Sequence, residues 1–239
     1  MPHRRLNLWD AAAYLHLSAL DLEELVRRQE IPFERQGDRV VFAKKEVDAW
    51  ASQRILGLPR QRLASYHQKT STKAHDLSKS RAIIRELLKK DFLDPALASK
   101  TKQSVLRDMI ALAEGTGLVN YPEELLASLQ EREKLCSTGL PNGPALLHAR
   151  HQDLYMFADS FIVAAKAVHS VPFGAPDGGL TDLFFLMCCQ DDRLHLHVLA
   201  RLCMMCGQTK MIARLREAAD AEAMFNVIAE SEEQVIKQL

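Results

Sequence analysis

Several features that would place a chain in a membrane or outside the cell are missing from this sequence. No window approaches the run of about 18 uninterrupted apolar residues that a membrane-spanning helix needs. The first residues lack the apolar core of a signal peptide. Cysteine is scarce, with five in 239 residues, and the odd number favours reduced thiols over a disulfide framework. We therefore expect a cytoplasmic protein with no membrane partner.

Net charge is also missing, because 31 basic side chains balance 31 acidic ones. A zero that held along the whole chain would argue against a nucleic-acid partner. Residues 1–79, however, carry 14 basic and 10 acidic side chains, and residues 80–239 carry 17 and 21. The two parts thus have opposite charges of four each, which predicts two segments with different partners.

The composition, 47% hydrophobic and 26% charged, is that of an ordinary globular protein. At roughly 150 residues per domain, the length predicts one large domain or two unequal ones. Residues 57–79 are rich in Ser, Thr and Gln and include Gly57 and Pro59, as a linker would. We therefore predict a small domain over 1–56, a linker over 57–79 and a larger domain over 80–239.

The first 56 residues show the order helix, short turn, helix, hairpin, helix. Asn7 and Ser18 are placed to cap the first two helices, and Gly37-Asp38 forms the hairpin turn. Trp9 and Trp50 are expected in the core. The predicted helices cover 7–17, 19–28 and 44–54. This order is typical of a winged helix-turn-helix.

A set of residues across 6–54 also resembles the excisionase/MerR-type DNA-binding domain. They are Leu8, Ala11-Ala12, Tyr14-Leu15, Ser18, Leu25-Val26-Arg27-Arg28, Ile31-Pro32, Val41-Phe42 and Val47-Asp48-Ala49-Trp50. The resemblance implies DNA as a partner. The candidate DNA-binding residues are Arg27, Arg28, Arg35, Arg39, Lys44 and Lys45. Asp21, Glu23 and Glu24 on the second helix would face DNA phosphates, so a protein–protein module is the alternative.

The larger domain alternates helical segments with apolar runs, which predicts an α/β domain with a mixed sheet flanked by helices. A break is expected at Asp94-Pro95, and a polar loop leads into a short strand that ends at His148. The predicted helices cover 77–90, 102–115, 123–129, 193–206, 212–215 and 219–230, and buried strands are expected over 154–168 and 180–189.

Five pieces of this domain resemble enzyme IIA of the fructose/mannitol class in the bacterial sugar phosphotransferase system, or its nitrogen-regulatory relative. They are Glu131-Arg132-Glu133, Ser137-Thr138-Gly139, Asn142-Gly143 with Ala145 and His148-Ala149-Arg150, Gly178 through Phe185, and His195-Leu196 with Leu199-Ala200 and Leu202. The resemblance covers residues 80–239, in family order and at family spacing.

The resemblance implies a phosphohistidine site. His148 would accept a phosphoryl group from the histidine phosphocarrier protein HPr, and His195 would donate to its oxygens. Arg132 would neutralise the added charge through a planar fork suited to phosphate. Ser137 and Thr138 are weaker candidates for phosphate contacts. One departure is Leu147, since the family usually has proline before the acceptor histidine.

Three functions remain open from the sequence. A DNA-binding transcriptional regulator could report carbohydrate or nitrogen status through phosphorylation of His148. A phosphocarrier could instead pass the phosphoryl group to a separate IIB protein. A degenerate IIA domain could act as a non-catalytic adaptor. Helix-turn-helix proteins commonly act as dimers, so a homodimer is considered too. The histidine spacings do not fit a helical zinc pair, and we expect neither a metal nor a cofactor.

Overall fold

The structure of the protein, a computed structural model, describes residues 5–15, 17–37, 39–56, 82–150 and 155–238. The chain divides into two units, Met1–Leu58 and Pro59–Leu239. The predicted linker over 57–79 lies outside the described residues, so its limits remain a prediction.

The first unit combines three helices with a small antiparallel sheet. Its elements are β1 (Arg5–Asn7), α1 (Leu8–Tyr14), α2 (Ala19–Arg27), β2 (Glu34–Gln36), β3 (Arg39–Ala43) and α3 (Lys44–Leu56). The Asn7 and Ser18 side chains accept from backbone N–H groups three residues on, at 2.8 and 3.1 Å, as N-caps do. The strand β1, which pairs with β3, has three residues and is too short to show an alternating pattern.

One of the two tryptophans predicted to lie in the core of this unit lies outside it. Trp9 is 71% exposed, so its placement in the core was wrong. It shares the outer face of α1 with Ala13, four residues on, whereas Ala12 and Leu15 point inward. Trp50 is half-buried, and its indole N–H donates to the Glu30 carbonyl.

The second unit is built on a four-stranded sheet with the order β4-β6-β7-β5. Its strands are β4 (Leu93–Leu97), β5 (Pro144–His148), β6 (Phe161–Val171) and β7 (Thr181–Cys188), and its helices are α4 (Ile83–Leu87), α5 (Lys102–Glu114), α6 (Pro122–Leu135), α7 (Asp192–Gln208), α8 (Met211–Glu217) and α9 (Ala221–Ile236). The outer strands run parallel to their neighbours, and the central pair is antiparallel. Helices flank this mixed sheet, which confirms the predicted fold class.

Three local predictions were wrong. The break expected at Asp94-Pro95 is the edge strand β4, where a proline is tolerated because its missing N–H can face away from the ladder. The strand expected over 154–168 begins at Phe161 among the described residues, and residue 154 itself lies outside them. The helix expected to end at Leu129 continues to Leu135 and therefore carries Arg132. Among the described residues, no helix combines the length and apolar character that a bilayer crossing requires.

Candidate phosphoryl-acceptor site

His148 is the last residue of β5, and its ring is held from both nitrogens. The side chain is 1% exposed. Its Nδ1 lies 2.9 Å from the Leu146 carbonyl oxygen, which can only accept a hydrogen bond. Its Nε2 accepts from Arg132 Nε at 2.9 Å. Both contacts are satisfied by one neutral tautomer, with the proton on Nδ1 and the lone pair on Nε2.

Arg132 reaches His148 from the last turn of α6. The residue is 1% exposed, and its Nη1 donates to the Cys136 carbonyl at 2.9 Å. Its Nη2 is buried and finds no hydrogen-bond partner among the residues that the structure describes. Within the same residues no carboxylate forms an ion pair with this guanidinium. A buried cation without a counter-charge is an unfavourable arrangement on its own, so the site is suited to an anion.

His195 completes the cluster from the first turn of α7. The side chain is 2% exposed, and the centroids of the His195 and His148 rings are 4.9 Å apart. The helix begins after Asp191, whose side chain accepts from the Leu194 N–H at 2.9 Å. The N-terminal turn of a 17-residue helix contributes positive potential to the space beside the two rings.

Both histidines are neutral at physiological pH. Burial lowers the pKa of His148 well below the ordinary value of 6.5, and repulsion from the Arg132 charge, and then from His195 in its protonated form, lowers this pKa further. Burial, followed by the charge of Arg132, lowers the pKa of His195 to about 3. A neutral imidazole keeps the lone pair that a nucleophile requires, and in the His148 tautomer this lone pair lies on Nε2.

The two hydroxyl groups predicted to contact phosphate have other partners. The Thr138 hydroxyl donates to the Glu133 carboxylate. The Ser137 hydroxyl donates to the Phe173 carbonyl at 2.9 Å. Across the described residues, neither hydroxyl is bonded to His148, His195 or Arg132. The structure therefore brings together three of the five candidates, and the role of the other two remains a prediction.

The turn before β5 has a role that the sequence did not reveal. Asn142 and Gly143 have positive φ angles of 69° and 104°. Arg216 donates to the Asn142 carbonyl at 2.7 Å and forms an ion pair with Asp182 at 2.6 Å. These side chains occupy the space that a Cβ at position 143 would need. The Asn142-Gly143 turn therefore fixes the direction in which the chain enters β5.

In the first unit, the candidate DNA contacts differ in how their charges are engaged. Arg27 and Arg28 pair with Glu24 on their own helix. Lys44 Nζ lies 3.3 Å from the Tyr14 hydroxyl and 3.4 Å from the buried Asp48 carboxylate. Arg35 and Arg39 are exposed on the two strands of the hairpin. Lys45 is exposed at the start of α3.

A cleft separates α2 from the hairpin. Its volume is about 480 Å³. Its lining residues are Leu8, Glu23, Val26, Arg27, Gln29, Phe33, Arg35 and Val40. Asp21 and Glu23 are exposed on α2, as the sequence suggested. Exposed positive charges lie on both sides of this cleft, Arg27 on α2 and Arg35 on the hairpin.

Comparison with known proteins identifies both units. The model of the family "Phosphoenolpyruvate-dependent sugar phosphotransferase system, EIIA 2" matches residues 86–231, more than half of the chain. The chain belongs to this EIIA 2 family. A helix-turn-helix domain model matches residues 6–55. Both resemblances read from the sequence are thus confirmed at the level of the domain.

The relatives align with the EIIA 2 domain. A nitrogen regulatory protein of Bradyrhizobium diazoefficiens is 29% identical over 149 residues, which are 61% of this chain and 94% of that protein. The fructose-specific EIIABC component of Bacillus subtilis is 26% identical over 147 residues, also 61% of this chain, but the match spans only 23% of that protein. The crystal structure of the nitrogen regulatory protein IIA-Ntr from Neisseria meningitidis superposes with a TM-score of 0.55 at 25% identity, covering 61% of this chain and 99% of that one.

Proposed function

We propose that this chain is a cytoplasmic regulator whose EIIA 2 domain is phosphorylated on His148 by the histidine phosphocarrier protein HPr. The observation that carries the proposal is the contact between Arg132 and His148. The tautomer of His148 leaves Nε2 as the nucleophile. The adjoining guanidinium is buried and has a donor, Nη2, available for a phosphoryl oxygen.

In the proposed step, the Nε2 lone pair attacks phosphorus and forms a P–N bond. The P–N bond to the histidine of the phosphocarrier breaks, and its electron pair leaves with that ring. The Nδ1 proton of His148 stays on Nδ1 and continues to donate to the Leu146 carbonyl, which stabilises the cationic character that the ring gains. Arg132 then exchanges its contact with Nε2 for contacts with phosphoryl oxygens, which its planar fork can bind in pairs. A ring N–H of His195 is the second donor.

Leu147 does not weaken this arrangement. The residue is fully buried in β5, where it pairs with Leu186 of β7. The strand ladder restrains the backbone here in the way that a proline would otherwise do. Leucine in place of the family's proline therefore does not loosen the position of His148.

Phosphorylation can be tested with enzyme I, HPr and radiolabelled phosphoenolpyruvate. We expect the wild-type chain to be labelled and the His148→Gln variant to remain unlabelled. His169→Gln is the matched control, because His169 is exposed on β6 and belongs to the same domain. Equal labelling of wild type and His148→Gln would show that the acceptor is elsewhere. An unlabelled wild type would favour the non-catalytic adaptor, and rapid transfer of the label to a IIB protein would favour the phosphocarrier.

We further propose that the helix-turn-helix unit binds DNA, with the hairpin as its main contact. Exposed Arg35 and Arg39 can reach the phosphate backbone or the minor groove. The acidic residues Asp21 and Glu23 weaken contacts of the α2 face with phosphates. This combination predicts moderate affinity that depends steeply on salt.

A mobility shift with DNA from the neighbourhood of the gene tests this second part. The Arg35→Ala/Arg39→Ala double variant should bind at least about tenfold more weakly at low salt. Arg107→Ala, an exposed arginine on α5 of the other unit, is the matched control. Absence of any shift at low salt would contradict the DNA-binding proposal and favour a protein–protein module.

A further inference from the structure

An ion pair between buried Glu133 and partly exposed Lys102 lies next to Arg132 in the fold, through the loop that follows α6. Glu133 follows Arg132 on α6, and its side chain is 4% exposed. The carboxylate forms an ion pair with Lys102 Nζ at 2.7 Å. It also accepts from the Thr138 N–H at 3.0 Å and from the Thr138 hydroxyl. Glu133 thus joins the end of α6 to the loop after it and to the start of α5.

The loop after α6, which is hydrogen-bonded to Glu133, is also hydrogen-bonded to Arg132. The Cys136 carbonyl, two residues before Thr138, accepts from Arg132 Nη1 at 2.9 Å. The segment from Cys136 to Thr138 is therefore fixed at one end by α6 and at the other by Glu133. A shift of this segment would move the carbonyl that sets the angle of the guanidinium.

Lys102 fixes the opposite side of the same loop. Its Nζ donates to the Phe173 carbonyl at 3.1 Å and lies 4.7 Å from the centre of the Phe173 ring. The Ser137 hydroxyl donates to the same carbonyl. The two donors bind the loop after α6 to the segment between β6 and β7.

The position of Lys102 is not explained by helix stability. It is the first residue of α5, where a positive charge is disfavoured by the helix dipole. Its charge instead compensates the buried Glu133 carboxylate. Without this compensation, a negative charge would lie one residue from Arg132 and oppose the arrival of a phosphoryl group.

We propose that Lys102 and Glu133 are positioning residues that orient Arg132 toward His148 and keep the surrounding charge favourable for phosphoryl transfer. This role rests on the proposed function of His148. Neither residue touches the reacting nitrogen; both act through the loop at Cys136–Thr138. Their loss should slow the transfer step more than it weakens docking of the phosphocarrier.

The kinetic test uses the full chain and three lysine variants. Since misplacement of a catalytic group by about 1 Å can slow a reaction up to a hundredfold, we expect Lys102→Met to lower the kcat of phosphorylation by about tenfold, with KM for HPr changed less than about twofold. Lys102→Arg should restore most of the rate because it keeps the ion pair. Lys100→Met removes an exposed charge two residues away and should behave as wild type. A Lys102→Met rate equal to that of Lys100→Met would overturn the proposal.

A second measurement does not depend on phosphorylation. In ¹H–¹⁵N spectra, the Arg132 Nε–H that donates to His148 should exchange slowly in the wild type. It should exchange at least about tenfold faster in Lys102→Met, because the hydrogen bond opens more often. If the Arg132 Nε–H exchanges equally fast in the wild type and in Lys102→Met, the positioning role is overturned, even where the phosphorylation rates of the two proteins differ. If the wild type takes no label at all, the proposed function fails, and this signal alone decides whether Lys102 positions Arg132.

Discussion

The guanidinium of Arg132 is buried without a carboxylate partner among the described residues, so at the scale of single residues the site stores an unfavourable charge. Burial of an ion costs several kcal/mol of desolvation free energy, which a methionine side chain at this position would not incur. We predict that Arg132→Met raises the free energy of unfolding of the EIIA 2 domain while abolishing phosphorylation of His148. Urea denaturation followed by far-UV circular dichroism measures the first effect. A variant that is less stable than the wild type would show that Arg132 serves the fold.

The two histidines predict a loss of stability in acid. Their pKa values are lowered in the folded protein, so below pH 6.5 the unfolded chain binds protons that the folded chain excludes. The loss should begin near pH 6.5 and, for His195, continue to about pH 3. Between pH 7 and pH 5 His195 should contribute a loss of about 2 kcal/mol, and His148 adds to the loss in the same direction. His195→Gln should lose correspondingly less than wild type over this interval, and an equal loss would contradict the assigned burial effect.

The candidate site residues could be predicted only through the family resemblance. His148, His195 and Arg132 lie on a strand and two different helices, and no periodic spacing connects them. The tautomer of His148 and the pairing of Lys102 with Glu133 depend on contacts between elements. Such contacts leave no pattern in one sequence, although Glu133 itself belongs to the Glu131-Arg132-Glu133 piece of the family resemblance.

At the scale of elements, the turn before β5 has a strict requirement for glycine. Gly143→Ala would combine the strain of a positive φ with a collision against Arg216 and Asp182. We predict a loss of about 2–3 kcal/mol in the free energy of unfolding of the EIIA 2 domain. Gly117→Ala is the control, because Gly117 also has a positive φ but open space around it. It should lose only about 1 kcal/mol. Equal losses of unfolding free energy in the two variants would show that Arg216 and Asp182 move aside at no cost in stability.

Elements with local signals were predicted well. The caps Asn7 and Ser18 begin helices because their side chains satisfy N–H groups within the same turn. The strand that ends at His148 is uniformly apolar before the histidine. By contrast, β1 and β4 exist because a neighbouring strand completes their hydrogen bonds, and a three-residue strand or one that contains Pro95 carries no local sign of that partner.

At the scale of the whole molecule, the chain combines two domains of different families, and its acidic half, residues 80–239, contains the EIIA 2 domain. The basic excess of residues 1–79 gives little support to a nucleic-acid partner for the helix-turn-helix unit, because residues 1–56 carry nine basic and nine acidic side chains and the whole excess of four lies in residues 57–79. The acidic excess of the second half belongs to the domain that carries the candidate site, and phosphorylation of that site would add further negative charge. Tryptophan fluorescence reports on the first unit alone, since both tryptophans, Trp9 and Trp50, lie in that unit.

If the two proposed activities are coupled electrostatically, phosphorylation should weaken DNA binding. A phosphohistidine adds roughly two negative charges to a domain that already has an acidic excess. We predict that the phosphorylated chain binds DNA more weakly than the unphosphorylated chain at low salt, and that the difference shrinks as salt screens the charges. Tryptophan fluorescence titration at increasing salt measures both affinities, with His148→Gln as the variant that should not respond. A difference that persists at high salt would instead indicate a conformational change, and identical affinities at low salt would show that the domains act independently.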